Sequence, residues 1–250
     1  MKITENIEIY KGDCLEWMKE IESCSIDAII TDPPYGTTAC KWDSVIPFDL
    51  MWSELNRIIK PNGAIVLFGS EPFSSALRMS NIKNYKYDWV WNKVNRFTNM
   101  LNVNKQPLRI YENISVFYKK QCTYNKQMRE GKPYKAIRTG KSYEGNGAYK
   151  TINGENNGLH NPKNIIDLKA DNKKENGLHP TQKPVELMEY LIKTYTNEGE
   201  LVLDFTMGSG STGVACVNTK RKFLGIEQDD KYFEIAKQII NNAIGQTKLF

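Results

Sequence analysis

Short apolar runs that stop on turn chemistry, alternating with stretches of helical periodicity, constrain this chain more than any other feature. Ile26 to Thr31 reads Ile-Asp-Ala-Ile-Ile-Thr and is halted by Asp32-Pro33-Pro34. That length and that stop predict a buried strand. A helix is expected near Asp49 to Ile59, then the turn Lys60-Pro61-Asn62-Gly63 and a strand over Gly63 to Gly69. Tyr87 to Asn92 and Asn113 to Tyr118, rich in Trp, Val, Phe and Tyr, are further strand candidates. Near the other end, Pro184 opens a helix whose Leu187, Met188, Leu191, Ile192 and Tyr195 share one face. The strand Leu201 to Asp204 follows, then a glycine turn, a helix from Ser211 to about Thr219 and a strand from Lys222 to Glu227. A last helix is lined by Tyr232, Phe233, Ala236, Ile239 and Ile240. This rhythm is that of an α/β fold with a mostly parallel sheet.

The chain has 250 residues, 40% of them hydrophobic and 25% charged, enough for one core domain with an elaboration. No apolar run approaches the roughly 20 residues that cross a bilayer, and the start lacks a signal-type apolar segment, so a cytoplasmic protein is expected. The five cysteines are scattered without a Cys-x-x-Cys pair and are read as reduced thiols. With only His160 and His179 available, no metal site is expected.

The net charge of +5 conceals an asymmetry: Asn92 to Glu175 holds 17 Lys and Arg against 7 Asp and Glu. Interleaved with Tyr111, Tyr118, Tyr124, Tyr134, Tyr143 and Tyr149, such a block fits a surface that neutralises phosphates and offers rings for stacking. A solvated loop region is the plainer reading of the same composition. Lys93, Arg96, Arg129 and Arg138 are candidate phosphate contacts within it.

The segment Asp204-Phe205-Thr206-Met207-Gly208-Ser209-Gly210-Ser211-Thr212-Gly213 sits between a predicted strand and a predicted helix. Its glycines allow close approach of the backbone to a ligand, and Glu227 at the next strand's end can accept hydrogen bonds from ribose hydroxyls. NAD fits those features as well as any nucleoside cofactor. Asp204 separates the two, because a carboxylate at the strand tip suits the cationic amino acid portion of S-adenosylmethionine and suits a pyrophosphate poorly. Capping of the turn is its structural alternative.

Asp32-Pro33-Pro34-Tyr35 should lie at the carboxyl edge of the sheet, where open α/β folds bind ligands. The prolines stiffen the loop and remove two donors, leaving the Asp32 carboxylate and the Pro33 carbonyl as paired acceptors for an exocyclic amino group. Tyr35 can stack on the base that carries it.

With these four residues ahead of the glycine turn, the chain resembles the amino-directed DNA methyltransferases in which the catalytic motif precedes the cofactor motif, the beta class. The resemblance covers roughly Ile7 to Tyr118 and His179 to Ile240. It implies the class I S-adenosylmethionine-dependent methyltransferase fold, Rossmann-like, with a mostly parallel seven-stranded sheet in permuted motif order. It also implies an inserted target recognition region: 1–118 is the catalytic half, 119–177 the basic, loop-rich insertion and 178–250 the cofactor half.

By the same resemblance, Asp13 in Gly12-Asp13-Cys14 contacts the cofactor adenine, with Cys14 beside it, although Asp13 also suits a helix N-cap. His179-Pro180-Thr181-Gln182-Lys183-Pro184 is similar to the element that lines the methionine portion, so His179, Thr181, Gln182 and Lys183 are cofactor candidates. Asp204, Phe205, Gly208, Ser209, Gly210, Thr212 and Glu227 complete that set. Family members often carry Asp-Pro-Phe at the strand tip, whereas here Phe205 follows Asp204 directly.

In the family, Asp-Pro-Pro-Tyr usually accompanies methylation of adenine N6, and Ser in place of Asp is commoner in cytosine N4 enzymes. The expected reaction is therefore methyl transfer from S-adenosylmethionine, yielding S-adenosylhomocysteine, to adenine N6 in double-stranded DNA, with the base flipped out and without metal. Cytosine N4 is the alternative target. Glutamine-modifying relatives favour Asn at the first position of the motif, and a non-catalytic DNA binder has no need of intact Asp32, Asp204 and Glu227. A restriction endonuclease partner and a homodimer are compatible with this reading.

Overall fold

The computed structural model describes residues 1–36, 43–138, 152–170 and 182–247. Strand β1 (Ile7–Lys11) ends at Gly12, and Asp13 caps helix α1 (Cys14–Glu20) by accepting from the amides of Leu15 and Glu16 at 2.8 and 3.2 Å. Such a cap is worth about 1 kcal/mol to a short helix. Then come β2 (Ile26–Thr31), α2 (Phe48–Ile58), β3 (Ile59–Gly69), α3 (Phe73–Ser80), β4 (Tyr85–Asn92) and β5 (Tyr111–Phe117).

The turn expected at Lys60 to Gly63 is absorbed into β3. The β2–β3 ladder passes from Ile26–Ile59 to Ala28–Ala64, so the Pro-Asn-Gly segment becomes an irregularity rather than a break. Lys60 Nζ pins it to Asp27 Oδ1 at 2.6 Å.

Short strands follow: β6 (Arg129–Glu130), β7 (Tyr134–Arg138), β8 (Ile152–Asn156), β9 (Leu159–His160) and β10 (Ile165–Asp167). The chain closes with α4 (Val185–Tyr195), β11 (Leu201–Asp204), α5 (Ser211–Asn218), β12 (Lys222–Glu227) and α6 (Asp230–Thr247). Residues Lys126–Lys163 make a compact unit of their own, narrower than the 119–177 insertion expected. Within it β6 pairs with β9 and β7 with β8, both antiparallel.

The main unit is built on one sheet in the order β1-β12-β11-β2-β3-β5-β4-β10. Neighbours are parallel except at β5, which runs antiparallel to β3 and β4. The sheet has eight strands where seven were expected. The extra one is β10, three residues inside a stretch that reads as loop. Ile166 packs on the core, and Trp91 Nε1 reaches the Leu168 carbonyl at 2.8 Å, which holds the segment beside β4.

Strand residues alternate between two apolar layers. Ala28, Ile30, Val66 and Val202 face the layer built with Leu191, Cys216 and Ala236 of α4, α5 and α6. Ile29, Leu67 and Leu203 face Met18, Leu55 and Leu77 of α1, α2 and α3. On α4 the residues Leu187, Met188, Leu191, Ile192 and Tyr195 are all buried, as the periodicity required. The Tyr195 hydroxyl accepts from Trp89 Nε1 at 2.6 Å, so its polar end is satisfied inside the core.

Because β2 lies beside β11, with Val202 opposite Ala28, the chain brings Asp32 and Asp204 to the same edge of the sheet. Among the described residues no helix is long and apolar enough to cross a membrane.

Candidate active site

A cavity of about 480 Å³ opens where β1, β2, β11 and β12 end. Its wall combines Gly12 to Leu15, the Asp32 to Tyr35 loop, Asp43 to Pro47, Gln182 and Lys183, the Asp204 to Ser209 turn, and Glu227 to Asp229. The size is that of a small-molecule site.

Asp204 is 3% exposed and its carboxylate is gripped by three donors. Thr31 Oγ1 donates to Oδ1 and Thr212 Oγ1 to Oδ2, both at 2.5 Å, and the Thr206 amide donates to Oδ1 at 3.2 Å. The turn-capping reading of Asp204 is therefore realised. No ion pair to it exists among the described residues. Burial pushes its carboxyl up to about 6, against the lowering pull of Thr212 and Thr31. A buried acid with its hydrogen bonds met but its charge unanswered suits a cationic ligand.

Glu227 holds the glycine turn in shape: Oε2 accepts from the Gly208 amide and Oε1 from the Asp229 amide, both at 2.8 Å. The two glycines called as cofactor contacts serve different ends. Gly208, at φ +52°, has open space where a side chain would stand and lines the cavity. Gly210, at φ +86°, is pressed against α6. A Cβ there would come within 2.9 Å of the Ala236 Cβ, so helix packing requires a glycine at this position.

Cys14 lines the cavity, and burial raises its thiol to about 12, so it stays protonated. Phe205, Ser209 and Thr212 are buried in the cavity wall. His179 and Thr181 lie outside the described residues.

On the opposite side, the loop after β2 is held from below. Asp43 Oδ1 accepts from the amides of Tyr35 and Gly36 at 2.8 and 2.9 Å, and Thr206 Oγ1 donates to the Asp32 carbonyl at 3.1 Å. Thr206 and Thr31 hydroxyls are 2.7 Å apart, so hydroxyls connect the Asp32 loop to Asp204 directly. The Tyr35 ring lies 5.0 Å from Phe73, tilted by 30°, and its hydroxyl donates to Asp32 Oδ1.

Two lysines sit elsewhere than expected. Lys183, assigned to the methionine portion of the cofactor, bonds Asp32 Oδ2 and lies 3.4 Å from Glu112 Oε2, so it belongs to the chemical loop. Pro184 caps α4, directly after Lys183. Lys93, a candidate phosphate contact, is withdrawn into the protein with its side chain 12% exposed and paired to Glu112 Oε1 at 2.5 Å. Arg129 is exposed on β6, Arg96 is half-buried in the loop between β4 and β5, and Arg138 ends β7.

Burial pushes the Asp32 carboxyl above its ordinary range against the pull of Lys183. Burial acts the same way on Glu112, but there Lys183 and Lys93 prevail and hold the carboxyl low. Lys183, opposed by burial, is raised by Asp32 and Glu112. In space these side chains form a row, Lys93, Glu112, Lys183, Asp32, each in contact with the next.

Residues 26–238 match the family described as DNA methylase, covering both sides of this cavity. The chain belongs to that family. It is 28% identical over 248 residues to the type II methyltransferase M.HpaI of Haemophilus parainfluenzae, covering 92% of this chain and 73% of the relative. It is 27% identical to M2.MboI of Moraxella bovis, covering 94% and 87%. The solved structure of the M1.HpyAVI–SAM complex superposes with a TM-score of 0.62 at 29% identity, over 94% of this chain and 99% of that one. PvuII DNA methyltransferase, described as cytosine-N4-specific, shares the fold with a TM-score of 0.67 at 17% identity, over 97% and 93%. The fold is the Rossmann-like one of S-adenosylmethionine-dependent DNA methyltransferases.

Proposed function

We propose that this protein methylates the N6 amino group of adenine in double-stranded DNA, using S-adenosylmethionine. The observation that carries the reading is that one cavity holds two aspartates with opposed tasks. Asp204 is a buried acid with no cation beside it among the described residues, and Asp32 heads an acceptor-rich loop tied to it through Thr31 and Thr206. The similarity to a protein crystallised with SAM supports the cofactor. The residues fit it: Asp204 would face its cationic portion, Gly208 offers open backbone, and Asp13 and Glu227 edge the same cavity.

When bound, S-adenosylmethionine supplies a methyl group on cationic sulfur, which the target nitrogen takes in exchange for a proton while the sulfur keeps the bonding pair as a neutral thioether. The protein's part is placement and electrostatics. Asp32 and the Pro33 carbonyl accept the hydrogens of the amino group and turn its nitrogen toward the methyl. Asp43 and Thr206 keep that loop still, and the apolar faces of Phe205, Ile46 and Tyr35 keep water from competing.

Adenine is favoured over cytosine because Asp32 rather than Ser leads the motif. The Lys126–Lys163 unit, with eight Lys and Arg against three Asp and Glu, is the region assigned to duplex phosphates, and Arg129 is its exposed candidate. A restriction endonuclease partner and a homodimer are both compatible with this reading.

Incubation with methyl-labelled S-adenosylmethionine and unmethylated genomic DNA, followed by nucleoside analysis, tests the reading. Label in N6-methyladenine is expected. Label in N4-methylcytosine would overturn the base assignment, and label confined to RNA or protein would overturn the substrate class.

A further inference from the structure

Both carboxylate oxygens of Asp32 are already engaged, Oδ1 by the Tyr35 hydroxyl and Oδ2 by Lys183. Each oxygen keeps a second lone pair, so an arriving amino group can add to either; what separates the two residents is their charge. The phenol is neutral and Lys183 is a cation. An ammonium held against Asp32 offsets the negative charge that should stabilise the nitrogen as it becomes positive, and it repels that nitrogen directly.

Glu112 offers that cation a second seat. Its Oε2 lies 3.4 Å from Lys183 Nζ, is buried, and has no hydrogen-bond partner among the described residues. Its Oε1 is fixed by Lys93, so the carboxylate is braced rather than free to follow. The ring of Phe68 lies 5.1 Å from Lys183 Nζ, giving the ammonium an aromatic face alongside both carboxylates.

We propose that Lys183 is a positioning residue that passes from Asp32 to Glu112 when the target amino group enters, releasing the Asp32 charge to the reacting nitrogen. This rests on the reading that Asp32 receives the amino group. In the resting cavity Lys183 opposes the upward pull of burial on the Asp32 carboxyl. On target entry Glu112, held ionised by Lys183 and Lys93 against its burial, takes the ammonium over a short swing of a flexible side chain.

Single-turnover methyl transfer on DNA across a pH series tests this, with cofactor affinity and thermal melting measured on each variant. Glu112→Gln keeps the shape and an oxygen for Lys93 but removes the charge of the second seat. Transfer should slow by about 10²-fold, the scale of one lost electrostatic stabiliser, with cofactor affinity unchanged. Lys183→Met should move the acid limb of the profile to higher pH, because Asp32 then loses its neighbouring cation, and so slow transfer on that limb but not on the plateau above it. The double variant should be no slower than Lys183→Met alone, since Glu112 has nothing left to receive.

Lys183→Arg supplies an independent check if Glu112→Gln melts early. Its fork spans both carboxylates at once and cannot vacate Asp32, so transfer should fall although every charge is kept. Losses that multiply in the double variant, or wild-type transfer in Glu112→Gln or Lys183→Arg, overturn the handover. Wild-type transfer in Asp32→Ala would instead overturn the assignment of Asp32 itself.

Discussion

Asp204 makes the cofactor side of the cavity sensitive to pH in a direction that can be worked out. Its carboxyl is raised from 3.8 to about 6 in the folded protein, chiefly by burial. At 1.36 kcal/mol per pKa unit, holding it ionised in the empty cavity costs about 3 kcal/mol. Because the folded pKa lies above the unfolded one, the folded state binds the extra proton between the two values. The stability contributed by the protonated form is complete below 3.8 and is lost as pH rises through about 6.

A bound cation reverses the sign. It favours the ionised carboxylate, so affinity for S-adenosylmethionine should be constant above pH of about 7 and fall by up to tenfold per unit below the Asp204 pKa, with proton release on binding. Asp204→Asn removes the charge while keeping the shape. It should weaken binding by about 30- to 100-fold near neutral pH, flatten the profile, and raise the melting temperature of the cofactor-free protein under the same conditions. Titration calorimetry from about pH 5 to 8, in buffers of different ionisation enthalpy, reads affinity and proton release together. A flat profile for the wild type, or Asp204→Asn binding as tightly as the wild type, would refute the reasoning.

Asp43→Ala leaves the amides of Tyr35 and Gly36 without their acceptor, each worth about 1–3 kcal/mol if no water replaces it. Transfer should fall by at least tenfold in single turnover while equilibrium cofactor binding is kept. Tyr35→Phe removes the hydroxyl on Asp32 but keeps the ring beside Phe73, so transfer should stay within a few-fold of wild type, whereas Tyr35→Ala should lose about 10²-fold. Steady-state rates on both variants check the contrast. Leu191→Ala, at a fully buried position of α4, should cost about 2–5 kcal/mol in urea unfolding without altering the pH profile of binding.

How much was legible in the sequence differs between elements for physical reasons. The strands Ile26–Thr31, Leu201–Asp204 and Lys222–Glu227 have the bounds expected from sequence, because each is an apolar run closed by a turn or an acid. Strand β10 was invisible, since three residues in a polar stretch become a strand only when Trp91 and Asn92 hold them at the sheet edge. Asp32 and Asp204 were legible as strand-tip acids. Glu112 and Asp43 were not, for neither belongs to a local motif.

Glu112 reaches the cavity because β5 runs antiparallel between β3 and β4, a tertiary fact with no periodic signature. The same fact explains Lys93 and Lys183, whose charges read as ligand contacts until Glu112 was seen between them. Gly210 shows a related limit: spacing identifies a glycine turn but does not say whether a ligand or helix α6 occupies the missing side chain's place.

The central claim is that one cavity divides its work, with Asp204 for the cofactor and Asp32 for the target amino group. The measurement that tests it most directly is Asp32→Ala examined twice: S-adenosylmethionine affinity by calorimetry, and single-turnover methyl transfer to DNA with nucleoside analysis. The account predicts affinity within a few-fold of wild type and loss of N6-methyladenine by at least about 10²-fold. Sustained transfer, or loss of cofactor binding in step with loss of transfer, would contradict it.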